Sequence, residues 1–287
     1  MKGYPSVVQA SIVVAERSRY LNAMWSEFGL SMLLECGYES GETRTILFDT
    51  STSGELLLRN LKALNTPVES IDYVVLSHAH YDHTGGLADL IEAEGSRFVL
   101  IAHPEILRPV YSVRRGLKFI GLEPEVLCML PESRLLLAEN SFEIIPKVAF
   151  SGTIRRQTDF EQPEVGVYTK QHGRFVEDPE LDDVALVITL SEEEIAVVTG
   201  CSHAGVINTL LHAQQISGRQ RVRTLAGGFH LVDLEQHVRD KTVDILEQIN
   251  PESIYSGHCT GQNAERMLSS RFGERYTAFY TGDTFRL

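Results

Sequence analysis

The chain has 287 residues, 43% apolar and 23% charged, which is ordinary globular usage and excludes disordered, collagen-like and coiled-coil classes. No apolar run nears the about eighteen residues of a membrane helix, so no membrane partner is expected. Lys plus Arg number 26 against 39 Asp plus Glu, a net charge of −13, which argues against nucleic acid as a partner.

The first fifty residues read as strands: Val7–Val14, then Ser31–Cys36 and Thr43–Phe48 flanking Gly37 and Gly41 as a hairpin. Phe48 is followed by Asp49. Gly54 opens a helical stretch with Leu57, Leu61 and Leu64 on one face, and Pro67 ends it. From here one unit recurs, an apolar run that ends in small residues and a histidine before a helix. Ile71–Leu76 leads into Ser77-His78, and Ile195–Val198 into Gly200-Cys201-Ser202-His203. Val222–Ala226 leads into Gly227-Gly228-Phe229-His230, and Ile254–Tyr255 into Ser256-Gly257-His258. Helices follow with faces at Val206, Ile207, Leu210 and Leu211, and at Val243, Leu246 and Ile249 before Asn250-Pro251. Strand–helix alternation predicts an α/β fold, in which ligands collect beyond the carboxyl ends of strands. Four strands that finish in histidine therefore predict one shared site.

Two stretches depart from the alternation, His103–Pro131 and Ser151–Asp183, both polar or rich in Gly and Pro. Long irregular segments in a compact unit are often lids or binding loops. The chain is read as one domain, 1–287, with insertions near 103–131 and 151–183. Cysteines 36, 128, 201 and 259 show no CxxC spacing. Without a basic, then apolar, leader at the start, reduced thiols and a cytoplasmic location are expected. Cys36 and Cys128 read as core residues, and Cys259 as a small buried neighbour of His258.

His78-Ala-His80-Tyr-Asp82-His83 carries the chemistry. Three histidines and an aspartate within six residues, after a buried strand and before Gly85-Gly86, offer imidazole and carboxylate donors suited to zinc, with manganese or iron as alternatives. A loop aims successive side chains in different directions, so close-set ligands can serve two adjacent cations. His203, His230 and His258 end three other strands and are expected at the same site, His230 as a residue lining it. His103 reads as structural, and His212 and His237 as helix surface or packing residues.

This segment, His-x-His-x-Asp-His, resembles the signature of the metallo-β-lactamase superfamily. Phe48-Asp49-Thr50 is similar to that superfamily's early strand-end aspartate. Residues 76–87 (LSHAHYDHTGGL), 199–208 (TGCSHAGVIN), 227–231 (GGFHL) and 256–261 (SGHCTG) resemble one branch, the dihydropterin ribofuranosylaminobenzene phosphate synthases and their relatives. The resemblance implies a four-layer αββα sandwich with a dinuclear metal site at the sheet edges, holding two divalent ions. It implies His78 and His80 on the first metal, and Asp82, His83 and His258 on the second. Two positions depart from the pattern. The first metal's third histidine is expected within 151–183, where only His172 stands, without a matching context. Where a bridging aspartate is expected after Gly200 the chain has Cys201, and His203 is the natural replacement ligand. Cys201 is read as a bridge, a thiolate ligand or a packing residue.

Such metals activate water, with Asp82 to orient it or shuttle its proton. Helix starts after His83, His203 and His258 would favour an anionic substrate, and Arg155 and Arg156 are candidates to grip it. The first functional expectation is a metal-dependent hydrolase of a small anionic ester, phosphoester or lactone. The second is a synthase or transferase joining a pterin to a phosphoribosyl-aminobenzene unit, as the branch name implies. The third is a di-iron redox or sensing protein, disfavoured because that redox branch usually carries Glu in place of the second histidine.

Overall fold

A computed structural model describes residues 3–131 and 134–287. β1 (Val7–Val14), β2 (Ser31–Gly37) and β3 (Thr43–Phe48) form an antiparallel meander. The expected β2–β3 hairpin forms, pairing Met32 with Phe48 and Gly37 with Thr43. Helix α1 (Gly54–Ala63) starts at Ser53, whose hydroxyl accepts the Leu56 N–H at 3.3 Å, and it buries Leu57 and Leu61. β4 (Tyr73–Val75) lies parallel to β3. The histidine-rich loop follows, with the single-turn helix α2 (Tyr81–Thr84) and then α3 (Leu87–Glu92). After β5 (Val99–Ala102) come the short β6 (Val110–Ser112) and β7 (Lys118–Phe119), then β8 (Leu135–Leu137).

The second half opens with β9 (Phe142–Ile145) and β10 (Val148–Phe150), then β11 (Val167–Gln171) and β12 (Arg174–Glu177). β13 (Ala185–Thr189) and β14 (Glu194–Thr199) pair antiparallel and lead to α4 (Val206–Ser217). β15 (Arg221–Gly227), α5 (Gln236–Ile249), β16 (Ser253–Ser256) and α6 (Gln262–Phe272) follow. The described chain closes with β17 (Tyr276–Ala278) and β18 (Thr284–Arg286).

One sheet has the order β18-β1-β2-β3-β4-β5-β8, and a second β17-β16-β15-β14-β13-β10-β9. Side-chain alternation decides how they pack. Ile46 and Phe48 join Ala196 and Val198 in the core between the sheets, whereas Leu47 joins Leu57 and Leu61 of α1 on the outside. Ile195 and Val197 face outward to α4 and α5, with Leu210 and Leu246. Period-2 burial on both sheets, covered by helices on both outer faces, is a four-layer αββα sandwich. Each large apolar side chain fully buried in it contributes about 1.5–3 kcal/mol. No helix among the described residues is long and apolar enough to cross a membrane.

The two stretches that read as irregular pair with each other. β6, β7, β11 and β12 form a third sheet, in which Val110 pairs with Thr169 and Ser112 with Val167. The four strands are short and β12 is mostly exposed, so the apolar pattern that would announce them is missing. The Tyr81 N–H donates to the Ile120 carbonyl at 2.9 Å, seating this small sheet against α2. Cys36 is buried as expected. Cys128 is exposed, because it sits on a 3₁₀ turn (Pro124–Met129) rather than on a core element.

Candidate metal centre

β3 and β4 are parallel, and so are β14, β15 and β16. Their carboxyl ends deliver Asp49, His78, Cys201, His203, His230 and His258 to one edge of the sandwich. Helix α2 begins at His80 and carries Asp82 and His83 in its single turn. The Gly85-Gly86 pair lets this turn lie on the preceding loop, since a Cβ on Gly86 would stand 2.2 Å from the Thr50 carbonyl oxygen.

The hydrogen bonds of three imidazoles fix which nitrogen faces inward. Asp49 is fully buried and accepts from the Ser77 N–H, the Ser77 hydroxyl and His83 Nδ1, each at 2.6 Å. Ser77 Oγ in turn lies 2.8 Å from His78 Nδ1, and Glu16 takes His258 Nδ1. With each Nδ1 bonded to an oxygen, each Nε2 is left to face the site, an arrangement that orients metal-ligating histidines. His83 Nε2 and His258 Nε2 stand 3.1 Å apart, and the Asp82 carboxylate lies 3.7 Å from the first and 3.4 Å from the second. His78 Nε2 is buried with no hydrogen-bond partner.

His78, His80 and His203 form a triangle with ring centroids 4.7 Å apart on every side. Burial pushes His80 and His203 down to about 4, so both are neutral at pH 7, the form that binds a cation. His203 Nε2 is buried with no hydrogen-bond partner, and its Nδ1 faces the carboxylates of Glu180 at 3.1 Å and Glu164 at 3.4 Å. Donor atoms of His78, His80 and His203 lie within 4.8 Å of one another, and so do those of Asp82, His83 and His258. Burial works to raise the Asp82 carboxyl, but His83 and His258 outweigh it and hold Asp82 well below the usual carboxylate range. Buried, unpartnered, neutral nitrogens beside an ionised carboxylate fit two divalent cations.

His203 therefore stands elsewhere than the bridging place its sequence position implied. It joins His78 and His80, the place the pattern put on an earlier loop. His172 lies in the β11–β12 turn with φ +49 and takes no part. Cys201 occupies the middle ground, with its Sγ 3.1 Å from His83 Nε2 and grouped with His78 and His83. His230 lines the site and pairs with Glu164 at 3.3 Å. His103 caps a 3₁₀ turn and bonds Thr153, His212 bonds the Ser151 carbonyl, and His237 is exposed.

A cavity of about 550 Å³ opens above both triads. Phe28 and Tyr81 form part of its wall, and Arg115 and Lys118 of the β6–β7 hairpin supply positive charge, while Arg114 is paired with Glu164 and Asp233. Arg155 and Arg156 do not line this cavity. Arg156 turns inward instead, donating to Glu180 at 2.8 Å and to the His203 carbonyl at 2.9 Å, so it positions His203. Helix α4 does not offer its N-terminus to a substrate either. Glu161 already accepts the Ile207 and Asn208 N–H groups at 2.8 Å each. The basic side chains that do line the cavity belong to the β6–β7 hairpin.

Sequence patterns missed the carboxylates that hold this site. Asp182 accepts the Ala79 N–H and Asp183 the Ala204 N–H, each at 2.8 Å, fixing the loops that carry His78–His83 and His203. Arg108 ties Asp182 to Asp178 at 3.0 and 2.6 Å. Burial pushes Glu180 and Asp183 up to about 7. The only signal was the density of acids at Asp178, Glu180, Asp182 and Asp183, which reads as surface until the fold buries it.

A model of the metallo-β-lactamase superfamily matches residues 26–129. The chain is 33% identical over 269 residues to a Methanocaldococcus jannaschii protein named 7,8-dihydropterin-6-methyl-4-(β-D-ribofuranosyl)-aminobenzene-5′-phosphate synthase, covering 92% of this chain and 91% of that one. It is 30% identical over 246 residues to an uncharacterised protein of the same organism, covering 85% and 88%. Among solved structures, a metal-dependent hydrolase of the β-lactamase superfamily superposes with a TM-score of 0.79 at 26% identity, covering 98% of this chain and 99% of that one.

Proposed function

The chain belongs to the metallo-β-lactamase superfamily, and we propose on that footing that it is a metal-dependent hydrolase of small anionic esters, phosphoesters first among them. The observation that carries the proposal is the pair of adjoining triads, His78–His80–His203 and Asp82–His83–His258, under a cavity roofed by cationic side chains. In this reading His78, His80 and His203 hold one divalent cation and Asp82, His83 and His258 the other, zinc being the first choice for such donors. When bound, such cations supply Lewis acidity and lower the pKa of water from about 15.7 towards 7.

The chain's own residues do the rest. Asp49, Ser77 and Glu16 keep three imidazole Nδ1 atoms engaged, so every Nε2 stays aimed at the site. The ionised Asp82 carboxylate orients the attacking water. Arg115 and Lys118 hold the anionic group in the cavity, and Phe28 shields the His258 side, with ring centroids 5.7 Å apart. The segments 103–131 and 151–183 act as insertions on one catalytic domain, building the roof.

A second reading, transfer instead of hydrolysis, has its own support. The synthase-named relative matches over most of both chains. A second lobe of about 620 Å³ adjoins the first, shares Arg114, Glu164, His203 and His230 with it, and adds Phe160 and Val165 as apolar wall. An aromatic amine seated there would take the place of water. The test is turnover by the zinc- or manganese-loaded protein. Release of phosphate or alcohol from a panel of phosphomonoesters, phosphodiesters and lactones supports hydrolysis. A silent panel, with consumption of a dihydropterin bearing a phosphate leaving group only in the presence of an aminobenzene, replaces it with transfer.

A further inference from the structure

Two cysteines and a histidine meet beside the proposed cation pair without being needed by it. Cys201 follows β14, His230 follows β15 and Cys259 follows β16, so three neighbouring parallel strands deliver them to one point. One donor atom from each lies within 4.8 Å of the other two. Donors around a tetrahedral cation with bonds of about 2.0–2.3 Å stand roughly 3.3–3.8 Å apart, so small side-chain rotations close this set.

The surroundings are built for these donors. The His230 backbone N–H donates to Cys259 Sγ at 3.3 Å, the kind of bond that stabilises a thiolate. His230 holds φ at +46°, a strained value for a residue with a Cβ. Its Nε2 lies 3.3 Å from Glu164 Oε2, and its Nδ1 is buried without a partner. A carboxylate on one ring nitrogen with the other left free is the pattern of a ligating histidine. Gly228 makes room for the sulfur, because a Cβ there would stand 2.6 Å from Cys259 Sγ.

We propose that Cys201, His230 and Cys259 form a third cation position, selective for a thiophilic divalent ion such as zinc, cadmium or ferrous iron. Two thiolates and an imidazole are softer donors than either triad, so this position takes the softer ion when two kinds are offered. Cys201 Sγ is also 3.1 Å from His83 Nε2, so its thiolate links the position to the neighbouring pair. Binding releases the two thiol protons to solvent and involves no redox change. The inference rests on the proposed function, because the position adjoins the centre assigned there through the contact of Cys201 with His83.

The test is cobalt(II) titration of the reduced, metal-freed full-length protein, reading bound equivalents and the sulfur-to-cobalt charge-transfer absorption together. The wild type is expected to bind about three equivalents with a strong sulfur band, and Cys259→Ser to lose about one equivalent and about half of the band. Cadmium NMR of the wild type gives a reading that needs no variant, with one resonance expected in the range of two-sulfur coordination. About two equivalents bound with no sulfur band, a band unchanged in Cys259→Ser, or cadmium resonances confined to nitrogen and oxygen coordination would each overturn the third position and leave the histidine triads standing. Failure to bind any cobalt would overturn both.

Discussion

Asp49 offers the sharpest perturbation, because one buried carboxylate satisfies three donors. Its φ of +63° lies in the left-handed region, which Asn tolerates, so Asp49→Asn removes the charge without a backbone penalty. In Asp49→Ala, the Ser77 N–H, the Ser77 hydroxyl and His83 Nδ1 all lose an acceptor, each now held at 2.6 Å. A buried polar group left unpaired costs about 1–3 kcal/mol, and some of the three will find water, so the sum is about 4 kcal/mol. Asn keeps one acceptor and should cost about 2 kcal/mol. Loss of the group that orients His83 should also weaken binding at the Asp82–His83–His258 set by about 10–100-fold. Urea unfolding of the metal-free variants and chelator competition on the loaded ones measure the two effects separately. Unfolding free energy within about 0.5 kcal/mol of wild type for Asp49→Ala, with unchanged cation affinity, would refute the reasoning.

Other consequences follow from single side chains. His203→Ala should lose about one bound cation, as should His258→Ala, by elemental analysis; full metal content in both variants would break the triad assignment. Arg115→Ala combined with Lys118→Ala should raise KM for anionic substrates about tenfold with kcat unchanged, read from steady-state kinetics. Equal losses in both constants would place these residues in the chemical step. Glu180 sets a pH dependence. Burial raises its carboxyl from 4.5 to about 7 against the opposing pull of Arg156, so the folded state holds its proton more tightly than the unfolded state. That contribution is complete below about 4.5 and is lost as pH rises through about 7, a change on the order of 3 kcal/mol. Urea unfolding of the metal-free protein at pH 5 and pH 8 should show wild type losing stability relative to Glu180→Gln; a constant difference would contradict the shift.

The strands and their histidines were legible because each rests on local chemistry. α1 opens at Gly54 as read and ends at Ala63, ahead of Pro67, and the two strands flanking Gly37 and Gly41 pair as the expected hairpin. The His78–His83 cluster was legible from density alone, since four donors in six residues have no packing role that explains them. What escaped depends on distant pairing. β6 and β11 carry little pattern of their own and exist as strands because each completes the other. Arg155 and Arg156 read as free cations in a polar stretch, and only the fold shows Arg156 turned onto Glu180 and His203. Which donors His203 meets was hidden for a related reason. Its position along the chain says which strand it follows, whereas its partners are decided by where the ring points after the Ser202 turn, at φ +61°.

The central claim is that imidazoles from the ends of β4, β14 and β16 meet around cations. Anomalous diffraction from crystals soaked in zinc tests it most directly. The account predicts one peak within about 2.0–2.2 Å of nitrogens of His78, His80 and His203, and another at that distance from Asp82, His83 and His258. Strong peaks confined to other parts of the molecule, with both triads empty at saturating zinc, would contradict it.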